Sequence, residues 1–513
     1  MKQQEFFSSR WALIIAAIGI AVGTGNIWRF SRVVAQNGGG SFLIPWVIFL
    51  LIWSVPLIIA EFAIGKSSRL GPIGAVSKTA GKQFSWMGAF IVMVSTGIMF
   101  YYSVVTGWCL RYFFSAVSGD IFNTADHLVY WSNFSTGYQP VIFHFISMVL
   151  VAFVIYRGIT KGIEKVTKLL VPSLLIILLI LFFRAITLPN AFEGIKYFFT
   201  PDLNVMLDYK VWLNALTQNA WDTGAGWGLI LTYAVYMRRN EDISLNAALI
   251  GFGNNSVSLI AGITIFSTVF ALSSVDLPAG QAGAMQQVTQ SGPANTGLTF
   301  IYLPLLFSKI SSSEVVNIFF ASIFFLALFF AAVTSLISMV EMATRTLIDF
   351  GVVRRRAIVI IASLGFILGI PSALNLGFLL NQDWVWGVGL ILSGAFISFS
   401  IIRYGVDKFR TEIINGYGSD FKIGKWYNYV ISILVPIQVI VLILWWLISS
   451  VSWDPEWWNP FHSENAGTAV AQWALVLIIF ILLNKKMSER IFRDEEVNNY
   501  KIKSTVISKE QSD

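Results

Sequence analysis

Twelve runs of predominantly apolar residues divide this 513-residue chain. Each has roughly the 20 residues that an α-helix needs to cross the ~30 Å hydrocarbon core of a bilayer. The predicted spans are residues 11–31, 42–64, 86–116, 140–156, 166–188, 211–237, 243–271, 313–348, 357–371, 384–404, 427–451 and 468–485. Charged residues form only 12% of the chain, which is too few for the surface of a soluble protein. The sequence therefore predicts an all-α integral membrane protein of about 12 transmembrane helices.

Basic residues are concentrated on one side of this predicted topology. They follow the even-numbered spans, within residues 66–82, 157–168, 238–239, 354–356 and 408–425. Lys and Arg are enriched in cytoplasmic loops, so both termini are predicted to be cytoplasmic. The longer polar stretches at 117–139, 189–210 and 272–312 would then face outward.

Several other function classes have no support in the sequence. No Gly-x-x-x-x-Gly-Lys-Ser/Thr loop indicates ATP use, and no nucleophile–base pair indicates an enzyme. No basic run is interleaved with aromatic residues as nucleic-acid binding would require. The three histidines, His127, His144 and His462, are too scattered to form a metal cluster. One cysteine, Cys109, permits no internal disulfide. The lack of disulfides and targeting segments favours a bacterial inner membrane over an animal cell surface.

Glycines interrupt two of the apolar spans. The first span contains Gly19 to Asn26 (GIAVGTGN), and the sixth contains Asp222 to Gly228 (DTGAGWG). Glycine in a helix interior costs up to ~1 kcal/mol relative to alanine, although it also permits close helix packing. Two such interruptions, five helices apart and each beside a polar residue, are typical of secondary transporters that bind solutes at broken helices.

The same residues resemble a known family. Gly19 to Phe30 (GIAVGTGNIWRF) and Gln36 to Phe42 closely resemble the opening of the neurotransmitter:sodium symporter family. Tyr101-Tyr102 with Trp108, residues 218–236 and Ala331 to Ser335 resemble its third, sixth and eighth helices. The resemblance covers roughly residues 7–410 and implies Na⁺-coupled uptake of amino acids or related amines by alternating access.

The resemblance also implies the organisation of the chain. A 5+5 inverted repeat with discontinuous helices 1 and 6 would occupy residues 11–404, preceded by a cytoplasmic segment, 1–10. Helices 11 and 12 would be appended at 405–486, followed by a cytoplasmic tail, 487–513. The oligomeric state is left open.

Two Na⁺ sites follow from the resemblance, and both use oxygen ligands, which suit a small hard cation. The first would consist of Ala21, Asn26, Asp222 and Asn254. The second would consist of Gly19, Val22, Ala331, Thr334 and Ser335. Without the resemblance, Thr334 and Ser335 would be read as helix–helix hydrogen-bonding residues.

Asp222 departs from the family pattern, because many members have a hydroxyl residue there and bind chloride nearby. Gln218 and Ser258 match the chloride ligands, whereas Trp46 stands where a tyrosine is usual. We hypothesise that the Asp222 carboxylate supplies the negative charge that chloride would bring, which makes transport chloride-independent. Alternatively, Asp222 could titrate in the empty return state and give proton antiport.

The implied substrate is an amino acid with a hydrophobic, or aromatic, side chain. Gly23 stands where monoamine transporters have an aspartate, so the substrate carboxylate could approach the first Na⁺, the half-helix N-terminus and the Tyr102 hydroxyl. Carbonyls around Ala21 and Trp221 would hold the amine. The implied substrate-binding residues are Ala21, Gly23, Gly25, Ile98, Tyr102, Trp221, Gly224, Trp227, Ser335 and Met339, with Ile20 and Ser338 nearby.

Gating residues are also implied by the resemblance. Arg29 and Asp383 match an external ion pair, with Gln218 adjacent. Tyr236 and Asp349 match the cytoplasmic gate. The usual N-terminal arginine and tryptophan of that gate are replaced by Gln4 and Phe7, which leaves Lys2 and Arg10 as alternatives. Glu61 matches a structural position that hydrogen-bonds the unwound sixth helix.

The sequence leaves two other functions open. A symporter of the same fold could carry another small zwitterion, such as a β- or γ-amino acid, or a nucleobase. A substrate sensor or an ion channel would bind solute or conduct ions without concentrating solute.

Overall fold

The computed structural model describes residues 5–124, 126–273, 288–289 and 295–510, and the side chains up to residue 493 except those of residues 273 and 453. Within these residues the secondary structure is helical, with no strand. The membrane spans, numbered in chain order, are Arg10–Ala21 with Gly25–Gln36 (span 1), Gly40–Ser68 (2), Lys82–Val117 (3), Gln139–Tyr156 (4), Ile159–Ile186 (5), Tyr209–Asp222 with Leu229–Ala234 (6), Ile243–Leu272 (7), Glu314–Asp349 (8), Arg354–Leu374 (9), Leu376–Tyr404 (10), Trp426–Ser452 (11) and Ala466–Arg493 (12). The last helix continues to Glu510. The predicted fold class is confirmed.

Ten of these spans are single apolar helices, and span 1 is a pair of helices bent by 55°. Span 6 is the twelfth, although neither of its halves reaches the length of a full crossing. Short helices connect the spans, at Pro72–Ala80, His127–Ser135, Ala191–Phe199, Leu203–Met206 and Gly297–Phe307. Part of the predicted 272–312 loop lies outside the described residues.

Spans 3, 8 and 7 form the centre of the bundle. Their most apolar stretches are 78%, 78% and 72% buried within the protein, against 28% for span 5 and 22% for span 12. The peripheral spans keep most of their apolar side chains outward, as helices facing lipid do. Any site built on spans 1, 3, 6 and 8 therefore lies at the protein's centre.

The sequence placed most span boundaries within about four residues, but two spans begin earlier than expected. Span 5 begins at Ile159 rather than 166, because its first turns are a π-helix that includes polar and charged residues. Span 10 begins at Leu376 rather than 384, because Asn375 caps the helix by accepting a hydrogen bond from the Phe378 N–H at 3.0 Å. A search for apolar runs does not detect helix starts of this kind.

Both glycine-rich interruptions are breaks in the helices. Span 1 stops being helical at Val22 (ψ 90°) and resumes at Gly25. In span 6, Gly224, Gly226 and Gly228 have φ of +71°, +91° and +74°. This left-handed region is readily adopted by glycine alone, so three glycines in five residues end the helix and turn the chain.

Glu61 of span 2 holds the second break together. Its buried carboxylate accepts hydrogen bonds from the Gly226 N–H at 2.7 Å and from the Leu231 N–H at 3.0 Å. These main-chain donors have lost their helical partners and would otherwise be unsatisfied. Glu61 is therefore a structural residue, as its position in the sequence implied.

Candidate functional site

A cavity lies where the two broken helices meet spans 3 and 8. The residues that line it are Ile20, Ala21, Gly23, Thr24, Gly25, Asn26, Trp28, Arg29, Tyr101, Tyr102, Val105, Gln218, Trp221, Asp222, Gly224, Trp227, Leu229, Ser335 and Met339. Nine of the ten expected substrate-binding residues are among them. Ile98 is buried one turn from Tyr102 and is not part of this lining.

Oxygen atoms converge beside the first break. The side-chain oxygen of Asn254 faces the main-chain oxygens of Asp222 and Ala21 at 2.9 and 3.1 Å. Three acceptors at this spacing repel one another unless a cation lies among them or the amide turns its nitrogen towards them. With the nitrogen turned inward, the Asn254 amide donates to both carbonyls; with the oxygen turned inward, the same three groups can coordinate a small hard cation.

Asn26 orients this group of oxygens. Its Nδ2 donates to Asn254 Oδ1 at 2.7 Å and to Ser258 Oγ at 2.9 Å, and its Oδ1 accepts from the Gly23 N–H at 2.8 Å. Asn26 therefore ties the break in span 1 to span 7. In this conformation it presents nitrogen rather than oxygen to Asn254.

Asp222 brings a carboxylate into the same region. The side chain is buried, Gln218 Nε2 donates to its Oδ2 at 3.3 Å, and Trp46 lies beside it. Arg29 also contributes favourable electrostatics. Gln218, Trp46 and Asp222, which the sequence singled out as chloride-related positions, are thus brought together by spans 2 and 6.

A second group of oxygens joins spans 1 and 8. Ser335 Oγ donates towards the carbonyl oxygens of Gly19 and Ile20 at 3.4 and 3.1 Å. Thr334 Oγ1 donates to the Ala331 carbonyl at 3.1 Å. Gly19 packs against Thr334 so closely that an added Cβ would lie 3.2 Å from the Thr334 Cβ. All the residues expected at the second cation site lie on these facing segments, with Val22 at the end of the first half-helix.

Tyr102 presents a hydroxyl beside the restart of span 1. It accepts hydrogen bonds from Thr24 N–H at 3.3 Å and Thr24 Oγ1 at 3.2 Å. A phenol also donates one hydrogen bond, so its proton is available to an acceptor in the cavity. The half-helix that begins at Gly25 adds the positive end of a helix dipole. Together these groups can bind a carboxylate.

Gly23 keeps this corner open, and we predict that Gly23→Ala impairs substrate binding. The added methyl group would lie 3.0 Å from the Tyr102 hydroxyl and 3.1 Å from Ser335 Oγ. Overpacking of this kind costs about 1–3 kcal/mol, so the KM for substrate should rise roughly tenfold or more. Gly253→Ala is the matched control, because its nearest neighbour would be 3.6 Å away. An unchanged KM in Gly23→Ala would contradict the prediction.

Trp221 forms the outer boundary of the cavity. The Arg29 guanidinium lies 4.6 Å from its ring centroid, and Gly387 of span 10 packs on it so closely that a Cβ would lie 2.8 Å away. The Trp227 ring contacts the Trp221 ring edge-on, with 5.5 Å between the ring centroids. The orientation of the Trp221 ring therefore depends on its contacts with Gly387 and Trp227.

Beyond Trp221 lies an outer vestibule. Its lining includes Arg29, Arg32, Asp383, Trp384 and Glu464. In the part of the chain that the structure describes, Arg29 and Asp383 do not form an ion pair, and Asp383 Oδ1 instead accepts from the Tyr101 hydroxyl at 2.9 Å. Burial and the Asp383 charge raise the pKa of Glu464, in the loop before span 12. The two predicted external gate residues thus line one vestibule but are not in contact.

The end of the bundle that carries the amino-terminal segment is closed by two ion pairs. Arg354 makes a two-pronged contact with the fully buried Glu341 at 2.7 and 2.9 Å, and the Tyr236 hydroxyl donates to the same carboxylate at 2.6 Å. Asp349 pairs with Arg345 at 2.8 Å. Arginines of spans 8 and 9 thus provide the charges that the amino-terminal segment lacks. Arg10 instead contacts Asn246 and Asp420, while Lys2 and Gln4 lie outside the described residues.

The segment Glu5–Ser9, which we term the N-terminal strap, lies across this closed side. The Phe7 N–H donates to the Tyr236 carbonyl at 3.1 Å, and the buried Phe7 ring packs on Tyr233 at 5.7 Å. Glu5 accepts from the Ile159 N–H at 2.7 Å, and Ser8 N–H donates to Glu164 at 2.8 Å. The strap therefore joins span 6 to the start of span 5.

We predict that Arg354→Gln loosens this closure. The substitution leaves the Glu341 carboxylate buried without its cation, which is strongly unfavourable. Amide hydrogen exchange at Phe7 and Ser8 should become roughly tenfold faster, because conformations with the strap released are more populated. Arg356→Gln removes an exposed charge two residues away and should leave exchange unchanged. Equal exchange in both variants would refute this role of Arg354.

The sequence missed several residues that line the cavity. Thr24 adjoins the predicted break, and Tyr101 is next to Tyr102. Val105 lies one turn after Tyr102, whereas Ile98 lies one turn before it, so helical spacing identified the correct face but not the direction in which the cavity extends. Trp28 and Leu229 carried no signal in the sequence.

Comparisons with known proteins identify the family. The model of the sodium:neurotransmitter symporter family matches residues 4–133 and 136–489. An uncharacterized sodium-dependent transporter of Methanocaldococcus jannaschii is 31% identical over 454 residues, covering 85% of this chain and 89% of the relative. The sodium-dependent serotonin transporter of Drosophila melanogaster is 27% identical over 530 residues, covering 94% of this chain and 83% of the relative. The crystal structure of MhsT in complex with L-phenylalanine matches with a TM-score of 0.74 at 29% identity, covering 86% of this chain and 99% of MhsT. The chain belongs to the sodium:neurotransmitter symporter family, as its motifs implied.

Proposed function

We propose that this protein imports a hydrophobic or aromatic L-amino acid together with Na⁺, by alternating access. The observation that carries the proposal is the cavity at the two broken helices, where a carboxylate-binding corner adjoins the oxygens of Asn254, Ala21 and Asp222. A zwitterion fits this pairing, because its carboxylate can contact both the Tyr102 hydroxyl and a bound cation. The complex of MhsT with L-phenylalanine supports an amino acid as substrate.

The side-chain end of the cavity favours a large apolar group. Ile20, Met339, Trp221 and Trp227 line the cavity together with Gly224, and a Cβ added at Gly224 would lie 3.4 Å from Ile20 Cγ2. Within the lining, the Arg29 guanidinium stacks on Trp221 and the Asp222 carboxylate accepts a hydrogen bond from Gln218. The side-chain end itself is apolar, so a lysine or glutamate side chain placed there would be desolvated without a partner.

Two Na⁺ ions are proposed as co-substrates. One would bind Ala21, Asn26, Asp222 and Asn254, and the other Gly19, Val22, Ala331, Thr334 and Ser335. Each ion contributes about 2.3 kcal/mol at 100 mV and about 1.4 kcal/mol for a tenfold gradient. Two ions thus provide roughly 7 kcal/mol, enough for about 10⁵-fold accumulation of a zwitterion. Transport is proposed to be chloride-independent because Asp222 supplies the anion, with both termini cytoplasmic, in a bacterial inner membrane.

The test is uptake of labelled phenylalanine, tryptophan, leucine and alanine into proteoliposomes under an inward Na⁺ gradient, with K⁺ as control. We expect Na⁺-dependent accumulation in which the three large substrates exceed alanine. If none accumulates, the hydrophobic-pocket proposal fails, and a competition panel of β- and γ-amino acids becomes the next experiment. Binding without accumulation would indicate a sensor, and currents above the solute flux would indicate a channel.

A further inference from the structure

A second cavity lies at the cytoplasmic junction of spans 4 and 5, far in sequence from the broken helices. It is lined by Tyr156, Arg157, Thr160, Lys161, Glu164, Lys165 and Lys168. The four basic side chains are exposed, and the single carboxylate among them is buried. The opening of this cavity is therefore strongly positive.

Two carboxylates adjoin these cations, Glu164 and Glu5, the latter bonded to the Ile159 N–H, but among the described residues most of the basic side chains form no ion pair with either. Lys168 pairs with Glu164 at 2.6 Å, and Glu164 also accepts a hydrogen bond from Ser8 of the N-terminal strap. Among the described residues, Arg157, Lys161 and Lys165 have no carboxylate partner, and the Arg157 guanidinium lies over the Phe153 ring at 4.5 Å. Three unpaired cations lining one cavity repel one another, and an anion bound among them would relieve that repulsion.

An exposed apolar stripe leads to the cavity from the membrane. Phe145, Val149 and Phe153 follow one another at four-residue spacing along span 4, and each is at least half exposed. The next position in this series is Arg157. Leu169 of span 5, 66% exposed, lies immediately after the basic cluster. Side chains at four-residue spacing share one helix face, so this lipid-facing surface ends at the cations.

We propose that this cavity binds the phosphate headgroup of an anionic phospholipid whose acyl chain lies along the Phe145–Val149–Phe153 stripe. Basic pockets between transmembrane helices on the cytoplasmic side have the charge and position to bind such headgroups. A free phosphate would neutralise the cations but would make no contact with the apolar stripe. The stripe therefore favours a lipid over a soluble anion.

The position of the site gives the bound lipid a consequence for the strap. Thr160 Oγ1 donates to the Phe6 carbonyl at 3.1 Å, and the Glu164 carboxylate accepts a hydrogen bond from the Ser8 N–H at 2.8 Å. Both residues also line the cavity. A headgroup that orders residues 157–168 would therefore stabilise the surface to which the N-terminal strap binds.

The test is native mass spectrometry of the full-length protein in a neutral detergent with phosphatidylglycerol or phosphatidylcholine. We expect the wild type to retain phosphatidylglycerol preferentially. The double variant Lys161→Gln/Lys165→Gln should lose roughly tenfold or more in retention, since each cation near a headgroup contributes about 1 kcal/mol. The control Lys422→Gln/Lys425→Gln removes two exposed cytoplasmic charges elsewhere and should retain the lipid as the wild type does.

Equal retention by both double variants would overturn the proposal. Displacement of the lipid by glycerol 3-phosphate at millimolar concentration would overturn the lipid as the ligand and leave a phosphate site. A second measurement uses the wild type alone, with phosphatidylglycerol that carries a photoreactive acyl chain. Crosslinks within residues 145–169 support the site, and crosslinks confined to other spans overturn it. Both readouts measure binding and are independent of transport.

Discussion

On the role proposed for Asp222, Asp222→Ser is expected to make uptake chloride-dependent. The wild-type carboxylate is buried, and the main-chain oxygen of the same residue lies 2.9 Å from the Asn254 side-chain amide. A unit charge about 4 Å from a cation contributes about 4 kcal/mol at an effective dielectric constant of about 20. Removal of the Asp222 charge should lower the rate of Na⁺-dependent uptake in gluconate by roughly a hundredfold or more. Chloride should restore much of the loss, because Gln218 and Trp46 would then face an anion instead of the carboxylate.

Asp222→Glu is the matched control, because it keeps the charge and should stay chloride-independent. The measurement is initial uptake in chloride and in gluconate at a fixed Na⁺ gradient. A lasting collapse of wild-type uptake in gluconate would refute the role assigned to Asp222. If the wild type acidifies the exterior during uptake and Asp222→Ser does not, the alternative of proton antiport is supported instead.

Glu61→Gln is expected to abolish transport by disrupting the break in span 6. Both carboxylate oxygens accept main-chain hydrogen bonds, from Gly226 and Leu231. An amide keeps one oxygen and turns an NH₂ group towards the other donor. A hydrogen bond to a charged group is worth about 1.5–3 kcal/mol, and an unsatisfied buried donor costs about 1–3 kcal/mol more. The melting temperature should fall by several degrees and uptake should be lost.

Glu193→Gln removes a carboxylate from an exposed position outside the spans and serves as the control. Melting is followed in detergent and uptake in proteoliposomes, on the same preparations. Wild-type melting with lost uptake would mean that Glu61 acts in the transport cycle rather than in holding the break. Wild-type behaviour in both assays would refute the structural role.

The features that the sequence predicted well are those with a local physical cause. An apolar run of about 20 residues has few alternatives to a membrane helix, and this predicted the ten single-helix spans and the bent pair of span 1. The glycines at 224, 226 and 228 predicted the break in span 6, because the left-handed backbone there needs no tertiary contact to be favoured by glycine.

The closure formed by the ion pairs of spans 8 and 9 could not be predicted in the same way. Glu341 and Arg354 lie on different spans, and only the packing of spans 8 and 9 shows that they pair. Likewise, Val105 lines the cavity and Ile98 does not, although both lie on the Tyr102 face of one helix. Whether such residues meet depends on how the helices are positioned relative to one another. Neither hydrophobic periodicity nor composition contains that information.

The N-terminal strap also bears on kinetics. Under the proposed alternating access, the end of the bundle that carries the strap must open. The hydrogen bonds from the Phe7 N–H to the Tyr236 carbonyl and from the Ile159 N–H to the Glu5 carboxylate would then break and re-form once for every molecule released. The rate of strap detachment is then an upper limit on the turnover number, whatever the solute. A fluorophore attached to the strap would then report one detachment of the strap for each transported molecule.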